Sequence, residues 1–358
     1  MPRSVPPASP SEVESGDPLQ GSLTGLSLTD ARETGTVERK PSGFNPFAPS
    51  SATDTGSVDE LTRDVIPQQL ARLQQPREFV LRATDDLYIQ GQQFKEKWKV
   101  SENSFLNWKA LLSGWREFPA ILLLNPSPFD DLVFHRMVDK SPTLSWLEET
   151  LGKVELQLED VIIIDTFPML RDTLRDDILS QLGPAGRDEL VRESFALTRA
   201  SLALIRPRVL ISCQCSTRPD NERWGLFKDD ELVQQLCSSV LRAQSRRVRE
   251  LDVDGHRMSV VQGMHPQYVV QYEPALEGIL VELFTQVFRP FGEWQSRRVA
   301  MKQALGDAGV VLLGLLGLLQ RQIRIYGHLF KQGGGELEGP VAAGHVEELG
   351  KQLAEWRE

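Results

Sequence analysis

An amide and an imidazole are the side chains of this sequence best placed to do chemistry. Asn125 ends the apolar run Ile121-Leu122-Leu123-Leu124 and is followed by Pro126, Ser127 and Pro128, while His265 ends Val260-Val261-Gln262-Gly263-Met264 and is followed by Pro266. An apolar run that stops at a proline-stiffened polar loop reads as a buried strand end. In an open parallel sheet ligands bind in the groove outside the carboxyl ends of the strands, because loops leave there and helix N-termini point there. Two further runs end in the same way, at Asp165-Thr166-Phe167-Pro168 and at Ser212-Cys213-Gln214-Cys215-Ser216-Thr217. With His265-Pro266-Gln267-Tyr268 they make four loops that set a polar head among rigid or apolar flanks. Such a set suits a small concave site in which fixed donors and acceptors orient a planar ligand between apolar walls.

The elements that must position these loops alternate between strand and helix. Buried strands are expected at Ala120–Leu124, 161–164, 209–212 and in the run ending at His265, with helical patterns between them. Ser141 and Pro142 mark a helix start, Leu144, Leu147 and Leu151 its apolar face, and Gly152 its end. A longer helix carries Leu190, Val191, Leu197 and Leu204 inward until Arg206-Pro207 stops it. A hairpin is expected across Asp254-Gly255, and Pro274 opens a last helix with Leu276, Ile279, Leu280, Leu283 and Val287 on one side. These alternations predict an α/β fold, a three-layer αβα sandwich around a mainly parallel four-stranded sheet.

The ends of the chain differ from its middle. Residues 1–58 are dense in Ser, Pro, Gly, Thr and Asp with no apolar period, and read as a disordered N-terminal tail without a secretory signal. The α/β domain is expected at 59–295, and 296–358 as a helical C-terminal extension with a hinge at Gly333-Gly334-Gly335. In that extension Val310 to Leu319 is strongly apolar but shorter than the ~20 residues of a bilayer span. It is read as a helix packed on the main domain or on a protein partner, with a role at a membrane surface as the lesser alternative and no membrane span. The net charge of −10 argues against a broadly basic, nucleic-acid-coating protein. Cys213, Cys215 and Cys237 are too few and wrongly spaced for a disulfide framework, a structural zinc or a cysteine-held iron–sulfur cluster, and an intracellular compartment, nucleus or cytoplasm, is expected.

On Leu124-Asn125-Pro126-Ser127 and His265-Pro266-Gln267-Tyr268 the chain resembles the uracil-DNA glycosylase superfamily. Its members carry a loop of the type G-x-D-P-Y or G-x-N-P-G after the first strand and a loop beginning H-P-S after the last. The resemblance covers residues 105–290 and implies hydrolysis of the N-glycosidic bond of a flipped or single-stranded damaged or mismatched base, without a cofactor. Carried over, Asn125 would hold the attacking water and His265 would donate to the departing base. Asp165 stands near the position that reads the base edge. As an ionised carboxylate it would accept but not donate, favouring an N–H-bearing edge such as that of guanine or cytosine. Tyr268 would be the wedge or stacking ring, and Phe129 or Phe167 the wall against the base, with Pro126 and Ser127 completing the substrate loop. DNA would be held weakly at a basic rim of Arg171, Arg175 and Arg218. The sequence departs from the family pattern in lacking a Gly before Asn125, in Ser127, and in Gln267-Tyr268.

Other readings use the same residues. Asn125 can cap the next helix as a turn former, and His265 can be a satisfied polar residue at a strand end. A serine hydrolase on Ser127, Asp165 and His265 lacks the glycine-flanked elbow it would need, and no Gly-rich phosphate loop follows a strand. His135, His256 and His265 lack metal-ligand spacing. The rival is a non-catalytic module of the same fold that binds a base, a nucleotide-like ligand or a protein partner.

Overall fold

The computed structural model describes residues 54–214 and 230–332. The expected tail up to residue 53, Cys215 and Arg218, and the glycine hinge with everything after it lie outside the described residues.

The fold is α/β, but its sheet has six strands and is mixed, where the sequence leads one to expect four mainly parallel ones. The strands are β1 (Asp54–Ser57), β2 (Ala120–Leu123), β3 (Ile163–Asp165), β4 (Val209–Ser212), β5 (Arg247–Val253) and β6 (His256–Gln262), in the order β1-β5-β6-β4-β2-β3. The anticipated four are present as a contiguous parallel set, since β3, β4 and β6 pair parallel through β2 and β4. The other two pair antiparallel, β5 on β6 and β1 on β5. Both escape a search for buried runs, for different reasons. Arg247-Val-Arg-Glu-Leu-Asp-Val buries only Val248, Leu251 and Val253 and is signalled by the turn of its hairpin instead, while Asp54-Thr-Gly-Ser has no apolar side chain at all.

Every residue of β2 and β4 is buried, as a parallel strand covered on both faces must be. Alternate residues Leu122, Ile164, Leu210 and Val260 join one core with Leu190, Leu197 and Leu202 of the helix Pro184–Ile205 and with Leu232 and Leu236. That helix starts on Pro184 and ends at Arg206, whose φ of 56° leaves the helical region just before Pro207. Leu204, expected inward, is 38 % exposed. The hairpin forms as its sequence directs: Asp254 and Gly255 both have positive φ, 51° and 76°, the two-residue turn whose twist matches the flanking strands.

The described chain falls into two compact units. One gathers β1, Pro76–Trp146 and Glu159–Leu280 and holds the whole sheet. The other gathers Asp59–Gln75, Leu147–Leu158 and the chain from Val281, tied internally by Gln286 donating to Asp59 (2.6 Å) and Ser296 to Glu155. The last helix, Glu277–Gln332, runs without a break through the domain end expected at 295. Val58, expected in the tail, is fully buried and donates its N–H to Arg246 O (2.9 Å).

Candidate functional site

Strand register brings the four loops level. Leu123 stands opposite Asp165, Leu122 opposite Ser212, and Ser212 opposite Gln262. The ladder continues just past the strands: Phe167 N donates to Leu124 O (2.9 Å), Cys213 N to Leu122 O (2.8 Å) and Gly263 N to Ser212 O (2.7 Å). Asn125, Phe167, Gln214 and His265 therefore leave the sheet along one edge. Only β4 separates β2 from β6, so the strands that carry Asn125 and His265 run about 10 Å apart, at roughly 4.8 Å per neighbour.

Around that edge the expected residues divide into half-exposed and buried sets. Asn125 is half-buried, and its Nδ2 donates to Pro126 O (3.1 Å), which leaves the amide oxygen as the group able to accept from a water. Ser127 Oγ accepts from Phe129 N (3.2 Å) and shapes the turn, while the Phe129 ring lies 5.8 Å from the Lys140 ammonium. His265 is half-buried at the start of the helix Pro266–Gln271, where Pro266 has the φ that a first helical position needs. One turn on, Tyr268 stacks on Tyr272, with ring centroids 6.3 Å apart and planes 23° from parallel. Tyr272 is 47 % exposed.

Pro126, Asp165 and Phe167 are buried. Phe167 packs against Phe195 (5.5 Å) with the Arg175 guanidinium 5.4 Å from its ring centre, so it is a core ring beneath the edge. Asp165 is 3 % exposed, and its Oδ1 has no hydrogen-bond partner. Burial pushes its carboxyl up to about 8, and the charge of Asp130 adds to the rise. Asp165 is therefore a neutral acid at pH 7, a donor as well as an acceptor. The expectation of an acceptor-only carboxylate assumed an exposed group and is corrected by the burial. Arg175, expected at a basic rim, is also buried and paired with Asp172 (2.8 Å) and Asp176 (2.9 Å). Arg171 is paired with Asp131.

Several polar residues at this edge were not anticipated. Asp130, five residues after Asn125, is buried and raised to about 6, chiefly by desolvation and against hydrogen bonds from Ser104 and Asn107. Asn107 donates to Asp130 O (2.8 Å) and Leu132 O (2.9 Å) and so fixes the loop after β2 to the helix Glu102–Leu111. Gln214, fully buried, accepts from Thr166 Oγ1 and donates to Cys237 Sγ (3.0 Å), linking the loops after β3 and β4. Thr198 Oγ1 lies 3.1 Å from both Asp165 O and Thr166 O. At the end of β6, Gln262 is 2 % exposed with neither amide atom hydrogen-bonded. The one signal in the sequence was Asn107 itself, an amide inside the apolar stretch Phe105-Leu106-Asn107-Trp108.

This arrangement provides a half-exposed amide and imidazole across one strand, a stacked tyrosine pair one helical turn from the imidazole, and, after β2 and at the end of β3, two buried carboxyls whose proton affinities are pushed apart. Pairs separated in this way can divide acid and base roles at one pH. Among the described residues no group of three or more His, Cys, Asp or Glu is arranged to hold a metal ion. No protein-family model and no curated protein matches the chain.

Proposed function

We propose that this protein is a cofactor-independent DNA glycosylase-like hydrolase that acts on a flipped or single-stranded base at the edge formed by Asn125 and His265. The observation that carries the reading is their common edge: both follow the carboxyl ends of parallel strands, with β4 alone between those strands. Asn125, with its Nδ2 committed to Pro126, offers its amide oxygen to a water. An amide cannot remove a proton as a carboxylate can, so it orients the water and the reaction leans on stabilising the leaving base. His265 is the donor for that charge. Tyr268 and Tyr272 form a ring pair on which an unstacked base can lie, a sequence-tolerant contact suited to single strands.

The experiment is incubation of the purified protein with oligonucleotides that contain uracil, hypoxanthine or mismatched bases, single- and double-stranded, followed by strand scission at abasic sites. The reading expects release of at least one base and loss of release in Asn125→Ala and His265→Ala. Release that both variants retain sinks the mechanism.

A second reading, a non-catalytic module of the same architecture that binds a base, a nucleotide-like ligand or a protein, is favoured by one observation. Arg171 and Arg175 are committed to Asp131, Asp172 and Asp176, so phosphate contact there would have to break an ion pair. Base or nucleoside binding without bond cleavage, lost in His265→Ala, supports this reading.

A further inference from the structure

From Val299 onward the helix Glu277–Gln332 changes character. Leu305, Val311, Leu315 and Leu318 are each 57 % exposed or more. Residues 308–319 are all Ala, Gly, Val or Leu. At 3.6 residues per turn their eight Val and Leu side chains leave no sector of the helix wider than about 80° without one. A helix that docks on one protein surface needs an apolar stripe and a polar back, whereas one that is apolar all round must be surrounded.

The flanking charges indicate what surrounds it. Between Trp294 and Gln332 stand six cations, Arg297, Arg298, Lys302, Arg321, Arg324 and Lys331, against one acid, Asp307, in a chain whose net charge is −10. Clustered cations on both sides of an apolar helix complement an anionic lipid surface, at which each basic residue adds to binding. The geometry also fits. Lys302 and Arg321 bracket the stretch 303–320, about 27 Å of helix against a hydrocarbon core of about 30 Å, and their long side chains can reach the headgroups from either end. Trp294 and Tyr326 lie outside these cations, where interfacial aromatic rings are favoured. This helix is long and apolar enough to cross a membrane, and none of its apolar window is buried. Val310 to Leu319 is only a part of the stretch 303–320.

We infer that residues 303–320 are a membrane anchor and that the protein binds anionic lipid bilayers by immersing this segment. The inference rests on the helix alone and is independent of the glycosylase reading.

The test is flotation of the full chain with vesicles of phosphatidylcholine and phosphatidylserine, and with phosphatidylcholine alone. The protein should float with the anionic vesicles and stay with them in high salt. Leu312→Lys with Leu315→Lys should leave it at the bottom of the gradient, with circular dichroism and melting midpoint unchanged because both sites are exposed. Arg297→Gln with Arg298→Gln should weaken binding to anionic vesicles roughly tenfold or more. Failure to float, or flotation that the double-lysine variant retains, overturns the inference. So does self-association in lipid-free buffer that the same lysines disperse while vesicles capture nothing, which would make other copies of the chain the surrounding medium.

Discussion

Asp130 and Asp165 form a buried acid pair in which the charge of the first helps keep the proton on the second. Neither carboxyl is fully satisfied, since Asp130 Oδ2 and Asp165 Oδ1 have no hydrogen-bond partner. Asp130 lies in the loop after β2 and Asp165 is the last residue of β3, both at the carboxyl ends of the parallel strands.

The pair sets a pH dependence of stability. In the unfolded chain both carboxyls titrate near 4, whereas in the fold Asp130 titrates near 6 and Asp165 near 8. Between about pH 4 and 8 the folded state holds more protons than the unfolded one, so stability falls as pH rises through that window and flattens above it. Asp165→Asn, which keeps the shape and a donor but cannot ionise, should flatten the melting-temperature profile up to pH 8. Asp130→Asn should flatten its lower part and lower the pKa of Asp165. Profiles parallel to the parent's in both variants would show that neither group is protonated as described.

Asn107 should act on this pair through the loop after β2. Replacing it with Leu removes the donors to Asp130 O and Leu132 O, leaving Asp130 O only the longer bond from Ser104 Oγ (3.4 Å), a cost on the order of 2 kcal/mol. It also removes a hydrogen bond that holds the Asp130 carboxyl down, so that pKa should climb further above 6. Denaturant midpoints read the first effect and carboxyl-carbon NMR titration the second. An unchanged pKa would mean that the amide only packs.

The single hydroxyl proton of Thr198, on the helix Pro184–Ile205, is shared among Asp165 O and Thr166 O at the end of β3 and Ser194 O of its own helix, each 3.1 Å away. Thr198→Val preserves the branched shape and deletes the donor, so it should cost about 1–3 kcal/mol and speed hydrogen exchange at the Thr166 and Phe167 amides, whose ladder bonds run to Leu123 and Leu124. Faster exchange throughout the chain, instead of at these two amides, would point to global destabilisation.

What the sequence showed and what it hid follow from the range of the signals. The runs of β2 and β4 are buried throughout, β6 is marked by Val260-Val261 behind the Asp254-Gly255 turn, and Pro142 and Pro207 act within a few residues, so these elements were legible. β1 was not, because it has no apolar residue and exists by pairing with β5. The four loops were placed at one edge by the parallel pattern, but which side chains lie under that edge depends on packing. Phe167 reads as a wall and Arg175 as a rim when only residue type is known; burial against Phe195 and ion pairing with Asp172 and Asp176 make both part of the interior. Asp130 and Gln262 gave no local sign, because their burial is decided by elements far away in the chain.

Gly114 is the position where the approach to β3 leaves no room for a side chain. A Cβ there would lie 2.5 Å from Ile162 N and from Val161 C, both backbone atoms that cannot rotate aside. The contact is fixed on either side of the glycine, since Trp115 N donates to Asp160 O (3.0 Å) and Phe79 N to Gly114 O (3.0 Å). Gly114→Ala should therefore force the chain apart just before β3 and cost about 1–3 kcal/mol, the range for overpacking in an interior. Gly278 is the control. It lies in the first turn of the last helix with nothing within 4 Å of its Cβ position, and there alanine should be neutral or stabilise by up to about 1 kcal/mol. Urea midpoints at constant m-value separate the two. Equal effects at both positions would mean that the close approach at Gly114 is not a constraint and that the segment entering β3 can move away from it.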